Sequence, residues 1–246
     1  MRIDKYLTDT GLAVSRAKAQ EMLRGGAVSV DGVTVIKPSF DVSDTMKVVL
    51  TENPLQKYVG RGGLKLEAAL SGFGLSPEGQ VAVDIGASSG GFTDCLLQHG
   101  ASYVYAVDSG HGQLHPDLLA DERVCSMEGV NARYLEKSDF PLVPSFAVMD
   151  VSFISQTLIL PSLVAIMADE STLVSLVKPQ FELGKAALGK GGIVKSEKLC
   201  KEALAQVCAF AESIGLRCMS TMPSPIRGGD GNLEFLAAFS FKRRHD

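Results

Sequence analysis

The 246-residue sequence has no tryptophan, no paired Cys-x-x-Cys motif and no low-complexity tract. It also has no apolar run approaching the roughly 18 residues of a membrane-spanning helix, and its first residues, MRIDKYLTDTGL, contain no apolar core of a secretory signal. Its five cysteines are an odd number without zinc-site spacing, which argues against a disulfide framework and a structural metal. We therefore expect a cytoplasmic protein that binds no metal and contacts no membrane.

The charges are unevenly distributed along a chain of ordinary globular composition. Hydrophobic residues make up 46% and charged residues 21%, and the net charge of −4 excludes a polybasic protein. Residues 1–59 hold eight Lys or Arg against seven Asp or Glu, whereas residues 60–246 hold 16 against 21. The N-terminal part is therefore the better candidate for binding nucleic acid. The side chains expected to face phosphate are Arg2, Lys5, Arg16, Lys18 and Arg24.

The first fifty residues predict a compact α+β module. Two short helices are expected at 2–10 and 15–24, and Gly25-Gly26 ends the second. A hairpin turning at Asp31-Gly32 and a further strand, MKVVLT, follow. Residues 51–60 look like a linker, so we divide the chain into domains at 1–59 and 60–246.

The larger domain alternates strands and helices. Apolar strands are predicted at 81–85, 102–108, 123–127, 145–150 and 172–178, which indicates a parallel, doubly wound sheet of the α/β class. A long helix is expected at about 196–214. Two strands near 216–222 and 233–241 have no helix between them, so they predict an antiparallel addition at one edge.

The stretch VAVDIGASSGGFTDCLL combines a buried strand, a loop of small residues and the start of a helix. Small residues allow a ligand to approach backbone N–H groups, and Asp108, at the end of the next strand, could accept ribose hydroxyls. The glycine spacing does not fit the dinucleotide pattern GxGxxG. Asp84 before the loop suits a ligand with a cationic amino-acid end, such as S-adenosylmethionine. The alternative is a tight turn without a ligand.

Asn131, after the third strand, could lie at the adenine or ribose of that cofactor, or could merely cap a helix. The candidate cofactor contacts are Asp84, Gly86, Ser88, Ser89, Gly90, Gly91, Asp108, Asn131 and Asp150.

Three segments carry a family resemblance. DIGASSGGFTDCLL resembles motif I of class I methyltransferases in its FtsJ-like form, and RIDKYL with SRAKAQEMLRGGAVSVDG resembles the RNA-binding module named after ribosomal small-subunit protein S-four. With GRGGLKLEAAL between them, the chain resembles the TlyA family, whose members are often labelled hemolysins. The resemblance implies a Rossmann-like methyltransferase fold with a mostly parallel seven-stranded sheet and one antiparallel strand. It also implies ribose 2′-O-methylation of cytidine in ribosomal RNA with S-adenosylmethionine as donor.

The FtsJ-like signature is a Lys-Asp-Lys-Glu set, which the resemblance places at Lys65, Asp150, Lys178 and Glu234. A ribose hydroxyl is a poor nucleophile and needs a base, or a cation that stabilises the developing charge. We assign Lys178 to that hydroxyl in one of these two roles, with Asp150 and Glu234 orienting it. Lys65 is expected to hold the target nucleotide or to share the electrostatic role.

Three other functions remain open: a membrane-acting hemolysin, an RNA-binding protein without catalysis, and a small-molecule methyltransferase. Lysis of erythrocytes by purified protein without a cofactor would support the first. The intact Lys-Asp-Lys-Glu set argues against the second, and the third leaves the N-terminal module unexplained.

Overall fold

A computed structural model describes residues 1–43, 45–50 and 57–243, and it leaves out the side chains of Glu21 and Arg24. Residues 51–56 of the expected linker therefore lie outside the described residues. The chain divides into two compact units, Met1–Leu64 and Lys65–Asp246. This division lies a few residues beyond the boundary expected between residues 59 and 60.

The first unit contains two helices and a small antiparallel sheet. Its elements are α1 (Ile3–Asp9), α2 (Arg16–Arg24), β1 (Val28–Val30), β2 (Val33–Thr34) and β3 (Val48–Leu50). Strand β1 lies between β2 and β3. Asp31 and Gly32 both have positive φ, 50° and 81°, as a two-residue hairpin turn requires. Ile3, Leu7 and Leu23 are fully buried in the core of this unit.

The second unit is built around one seven-stranded sheet. Its strands are β4 (Val81–Ile85), β5 (Tyr103–Asp108), β6 (Val124–Glu128), β7 (Phe146–Met149), β8 (Glu170–Val177), β9 (Leu216–Pro223) and β10 (Phe235–Lys242). The strand order is β6-β5-β4-β7-β8-β10-β9. Strands β4 to β8 pair in parallel, whereas β10 runs antiparallel to both of its neighbours. The predicted α/β fold with one antiparallel strand is confirmed.

Helices cover both faces of this sheet. They are α3 (Gly62–Phe73), α4 (Gly91–Gln98), α5 (Pro116–Leu119), α6 (Leu160–Ile166), α7 (Pro179–Glu182) and α8 (Glu197–Ser213). Along β4, Val83 and Ile85 pack in one core with side chains of α6 and α8. Asp84 points to the opposite face, where it bonds to Thr93 of α4. Because both faces are covered, the strands are apolar along most of their length.

The two closing strands lie at one edge of the sheet, as expected. Their order across the sheet is the reverse of their order in the sequence. The later strand, β10, lies inside and β9 forms the edge. Seven of the eight residues of β10, Phe235–Lys242, are buried or half-buried, whereas most residues of β9 are exposed. The more apolar strand therefore takes the inner position. The short helices α5, α6 and α7 were not predicted. The four residues of α5 and α7 give too little periodicity, and the short apolar run of α6 does not distinguish a helix from a strand.

Replacing Phe239 tests the inner position of β10. Its side chain is fully buried, so Phe239→Ala should lower the free energy of unfolding by about 3–5 kcal/mol. Urea denaturation measures this change. Met219→Ala on the edge strand, where the side chain is 45% exposed, is the control and should change stability by no more than about 0.5 kcal/mol. Similar losses in both variants would contradict the strand order.

Candidate active site

A cavity of about 370 Å³ opens at the carboxyl ends of β4, β5 and β7. Open α/β sheets bind ligands at this edge, and cavities of about 300–1,000 Å³ are typical of small-molecule sites. The wall combines the backbone of Gly86 and Ser88 with the carboxylates of Asp108 and Asp150 and the apolar side chain of Val130. This mixture of apolar surface and a few polar groups suits an amphipathic cofactor.

The loop of small residues after β4 owes part of its composition to packing within the protein. Gly86 has a φ of 86°, and a Cβ there would collide with the backbone carbonyl of Asp150. Gly90 has a φ of 93°, and a Cβ there would collide with Leu118. Gly86 and Ser88 line the cavity, whereas Ser89, Gly90 and Gly91 are not among its lining residues. Cofactor contacts by the last three remain a prediction.

Asp108 is at the cavity wall with its carboxylate already oriented. Its Oδ2 accepts the Ser88 N–H at 2.8 Å, and its Oδ1 accepts the Gly110 N–H at 2.7 Å. Each oxygen keeps a further lone pair for a hydroxyl. Gln113, which the sequence did not single out, also lines the cavity and accepts a hydrogen bond from the Ser88 hydroxyl at 3.2 Å.

Both interpretations of Asn131 fit the structure. The residue lines the cavity. Its side-chain oxygen also accepts the Arg133 N–H at 3.1 Å and caps a short 3₁₀ turn. The cap fixes the backbone that forms this part of the wall, and a direct contact with the cofactor remains a prediction.

Asp84 lies behind the cavity wall. It is fully buried, its Oδ2 accepts the Thr93 hydroxyl at 2.7 Å, and it is not among the lining residues. Its Oδ1 has no hydrogen-bond partner among the residues that the structure describes. Burial raises the pKa of Asp84 to about 7, and the charge of Asp150 adds to this increase while the Thr93 bond opposes it. Contact with the amino-acid end of a cofactor therefore remains a prediction for this side chain.

The four residues of the Lys-Asp-Lys-Glu set form two ion pairs. Lys178 Nζ lies 2.5 Å from Asp150 Oδ1, and Lys65 Nζ lies 2.6 Å from Glu234 Oε2. Antiparallel pairing of Phe235 with Val177 brings Glu234 and Lys178 to the same sheet edge. Glu234 accepts a hydrogen bond from Lys65, which reaches its carboxylate from α3. Orientation of Lys178 by Glu234 remains a prediction.

Two neighbours of Asp150 belong to the site although the sequence did not single them out. Ser152 lines the cavity, and its Oγ accepts a hydrogen bond from Lys178 Nζ at 3.0 Å. Phe153 also lines the cavity, is 91% exposed and has a φ of 65°. Its ring centroid lies 5.1 Å from that of Phe181. The only sequence signal is their position directly after a buried strand, in MDVSF.

In the first unit, two of the predicted phosphate-facing arginines converge on one buried carboxylate. Arg2 Nη2 and Arg16 Nε each lie 3.0 Å from Asp4 Oδ2, and Gln20 Nε2 donates to the same oxygen at 3.1 Å. The hydrogen bonds from Arg2 hold the pKa of Asp4 well below its usual value, although burial opposes this. The guanidinium groups remain about half-exposed, with side-chain exposures of 48% and 57%.

The other three predicted phosphate contacts are Lys5, Lys18 and Arg24. Lys5 is exposed on α1 and Lys18 is half-buried on α2. The side chain of Arg24 lies outside the described residues. Contact of any of these side chains with RNA remains a prediction.

Residues 58–241 match the model of the FtsJ-like methyltransferases, and residues 1–48 match that of the S4 domain. The chain belongs to the FtsJ-like methyltransferase family. The family match covers all seven strands of the sheet except Lys242, the last residue of β10, and it includes all four residues of the two ion pairs.

Similar proteins share both units. Hemolysin A of Brachyspira hyodysenteriae is 42% identical over 97% of this chain and 99% of that protein. The 16S/23S rRNA (cytidine-2′-O)-methyltransferase TlyA of Mycobacterium tuberculosis is 39% identical over 95% of this chain and 87% of that protein. The solved structure of a hemolysin-named protein from Streptococcus thermophilus gives a TM-score of 0.76 at 45% identity, over 98% of this chain and 88% of that one.

The described residues contain neither a metal-binding cluster nor a membrane-spanning helix. Within them, no group of three or more His, Cys, Asp or Glu side chains is placed to hold a metal ion. No helix in the described part combines the length and the apolar character needed to cross a membrane. All five cysteines lie within the described residues, and none of them forms a disulfide.

The pH dependence of stability tests the environment of Asp84. Because its pKa is about 7 in the folded protein and 3.8 in the reference state, the folded chain binds this proton more tightly, and stability falls as pH rises from about 4 to about 7. Asp84→Asn should remove this loss. Urea denaturation of the cofactor-free protein should show the variant gaining stability relative to wild type across that range. A stability difference independent of pH would contradict the assignment.

Proposed function

We propose that this protein transfers a methyl group from S-adenosylmethionine to the ribose 2′-hydroxyl of a cytidine in ribosomal RNA. The observation that carries this proposal is the Lys178–Asp150 contact at the cavity wall, with the Lys65–Glu234 pair at the same sheet edge, in a chain that joins an FtsJ-like domain to an S4 domain. The name of the 39% identical relative supports the substrate. A ribosomal RNA substrate implies that the protein works in the cytoplasm.

The cavity fits the proposed cofactor. Asp108 can accept two ribose hydroxyls, and Val130 and Ile159 supply apolar surface for a base. The Asp84 carboxyl is buried behind the loop, and its Oδ1 has no hydrogen-bond partner in the described part of the chain, so a cationic ligand would favour its charged form. When bound, S-adenosylmethionine supplies a methyl group on a positively charged sulfur.

In this proposal Lys178 acts on the attacking hydroxyl. A lysine ammonium has three N–H donors. One of them bonds to Ser152, and the ammonium also lies in ion-pair contact with Asp150. A remaining donor can point to an oxygen in the cavity. A cation held in this way stabilises negative charge as it develops on that oxygen. The ion pair favours this electrostatic role over proton removal, and the two roles can be separated experimentally.

Lys65 and Glu234 provide a buried support for the same edge. Their side chains are only 11% and 3% exposed. Removing one member of such a buried pair leaves an uncompensated buried charge, which is costly. The pair therefore stabilises the contact between α3 and the start of β10. Gly228 is adjacent, and a Cβ there would lie 2.7 Å from Glu234 Oε1. The loop before β10 therefore closes tightly over this pair.

The S4 domain supplies the RNA contact in this proposal. Basic side chains on α1 and α2 provide positive charge for phosphate. Because Asp4 fixes Arg2 and Arg16, their guanidinium groups lose little conformational freedom when a phosphate binds.

The proposed function is tested by incubating purified protein with unmodified 30S and 50S ribosomal subunits and labelled S-adenosylmethionine. Mass spectrometry of nuclease fragments then locates the methylated ribose. Methylation of a cytidine 2′-oxygen is the expected result, and comparison of the subunits identifies the substrate. A methyl group on a base, or no transfer to either subunit, would contradict the proposal.

Replacement of Lys178 tests its role in the chemical step. Lys178→Ala should lower the single-turnover methylation rate about 100-fold or more, because a charge stabiliser or base is lost. Cofactor and RNA affinities should change little, since the role is expressed in the transition state. Lys198→Ala, at an exposed lysine on α8, is the control. Lys178→Arg keeps the charge but cannot accept a proton, so substantial activity in this variant would identify electrostatic stabilisation.

The salt dependence of RNA binding tests the S4 surface. Lys5→Gln should reduce the slope of log affinity against log salt concentration by about 0.7–0.9, the value of one lost phosphate contact. Cofactor affinity and stability should be unchanged. Arg16→Gln should reduce both the slope and the stability, because it weakens the pairing of buried Asp4. A slope unchanged in both variants would show that these side chains do not contact phosphate.

A further inference from the structure

Residues 150–156, which include Asp150, directly follow the last residue of β7 that pairs with β8. Parallel pairing of these strands ends at Met149, opposite Ser175. The segment, which we call the Asp150 loop, then includes Phe153 in a left-handed backbone conformation, with a φ of 65°. Such a conformation persists only when surrounding contacts hold it. Asp150 itself is still bonded to β4, because its N–H donates to the Ile85 carbonyl at 2.9 Å. Contacts other than strand pairing must therefore hold the rest of the Asp150 loop.

Gln156 ends the Asp150 loop with a buried amide whose oxygen and nitrogen each form a hydrogen bond. Its side chain is 1% exposed. Its Oε1 accepts the Ser175 hydroxyl at 2.6 Å, and its Nε2 donates to the Leu176 carbonyl at 2.7 Å. Burial of an amide is costly unless its polar atoms are bonded. Both partners lie on β8, immediately before Lys178.

A second set of bonds reaches the chain after Lys178. Glu182 Oε1 accepts the Gln156 N–H at 3.0 Å, and Glu182 Oε2 accepts the Ser155 hydroxyl at 2.5 Å. Helix α7, which carries Glu182, begins at the residue after Lys178. The end of the Asp150 loop is thus fastened to the chain on both sides of Lys178.

We propose that Gln156 is a positioning residue for methyl transfer, which sets the separation of Asp150 and Lys178 by clamping the Asp150 loop to β8 and α7. The inference rests on the proposed function, because the rate it controls is that of methylation. Gln156 acts through the ion pair and contacts no reacting atom. An apolar side chain of similar size would fill the same space but could not bond to Ser175 or Leu176.

The chain offers a matched control at the opposite end of the sheet. Gln80 Oε1 accepts the Ser145 hydroxyl at 3.1 Å, and Gln80 Nε2 donates to the Ser76 carbonyl at 2.8 Å. Gln80→Leu therefore removes the same two kinds of bond away from the ion pairs. Gln156→Leu should lower the single-turnover methylation rate about tenfold or more, with cofactor Kd within about threefold of wild type. Gln80→Leu should keep the wild-type rate.

Chemical labelling of lysine amines supplies a readout independent of activity. Loosening of the ion pair should raise the acetylation rate of Lys178 in Gln156→Leu, read by mass spectrometry against exposed Lys198, and leave it unchanged in Gln80→Leu. Equal methylation rates and equal Lys178 labelling in the two variants would overturn the proposal.

Two further comparisons cover a variant that does not fold and a wild-type protein that is inactive. If Gln156→Leu fails to fold, Ser175→Ala, which removes only the bond to Oε1, should show both effects to a smaller degree, and wild-type values would overturn the proposal. If wild-type protein methylates no ribosomal RNA, the proposed function fails, and the labelling comparison alone decides whether Gln156 positions the ion pair.

Discussion

The antiparallel pairing of β10 with β8 is the constraint on which the site depends. With Phe235 opposite Val177, the residue before β10 and the residue after β8 meet at one edge of the sheet. Glu234 therefore lies beside Lys178, and Lys65 reaches Glu234 from the helix before β4. Residues that are far apart in sequence become a compact group of charges because one apolar strand takes an inner position.

Carboxylates organise the loops at the carboxyl edge of the sheet. Asp108 accepts two backbone N–H groups, and Glu128, at the end of β6, accepts those of Gly112 and Gln113. The backbone bonds lower the pKa of Glu128. Glu182 performs the same task at the Asp150 loop, where burial raises its pKa. Part of the acidic excess of the methyltransferase domain thus bonds to loop backbone. These bonds restrict the loops around the cavity, as a preorganised site requires.

The two units use buried charge in different ways. In the S4 domain, Asp4 is a single acceptor for Arg2, Arg16 and Gln20, and it presents two cations at the surface in a fixed arrangement. In the methyltransferase domain, lysine and carboxylate are paired one to one. The first arrangement suits a polyanionic backbone, whose binding scales with the number of phosphates contacted. The one-to-one pairs of lysine and carboxylate carry little net charge and suit a site that needs one oriented donor.

The sequence alone determined the alternating elements, the hairpin turn at Asp31-Gly32, the loop after β4 and the four members of the Lys-Asp-Lys-Glu set, because hydrophobic periodicity, turn chemistry and motif resemblance are local signals. Only the tertiary structure decided that Glu234 pairs with Lys65, that Ser152 contacts Lys178 and that Gln156 bonds to β8. Polar partners are chosen by which strands become neighbours, and strand order depends on long-range burial that no local pattern encodes.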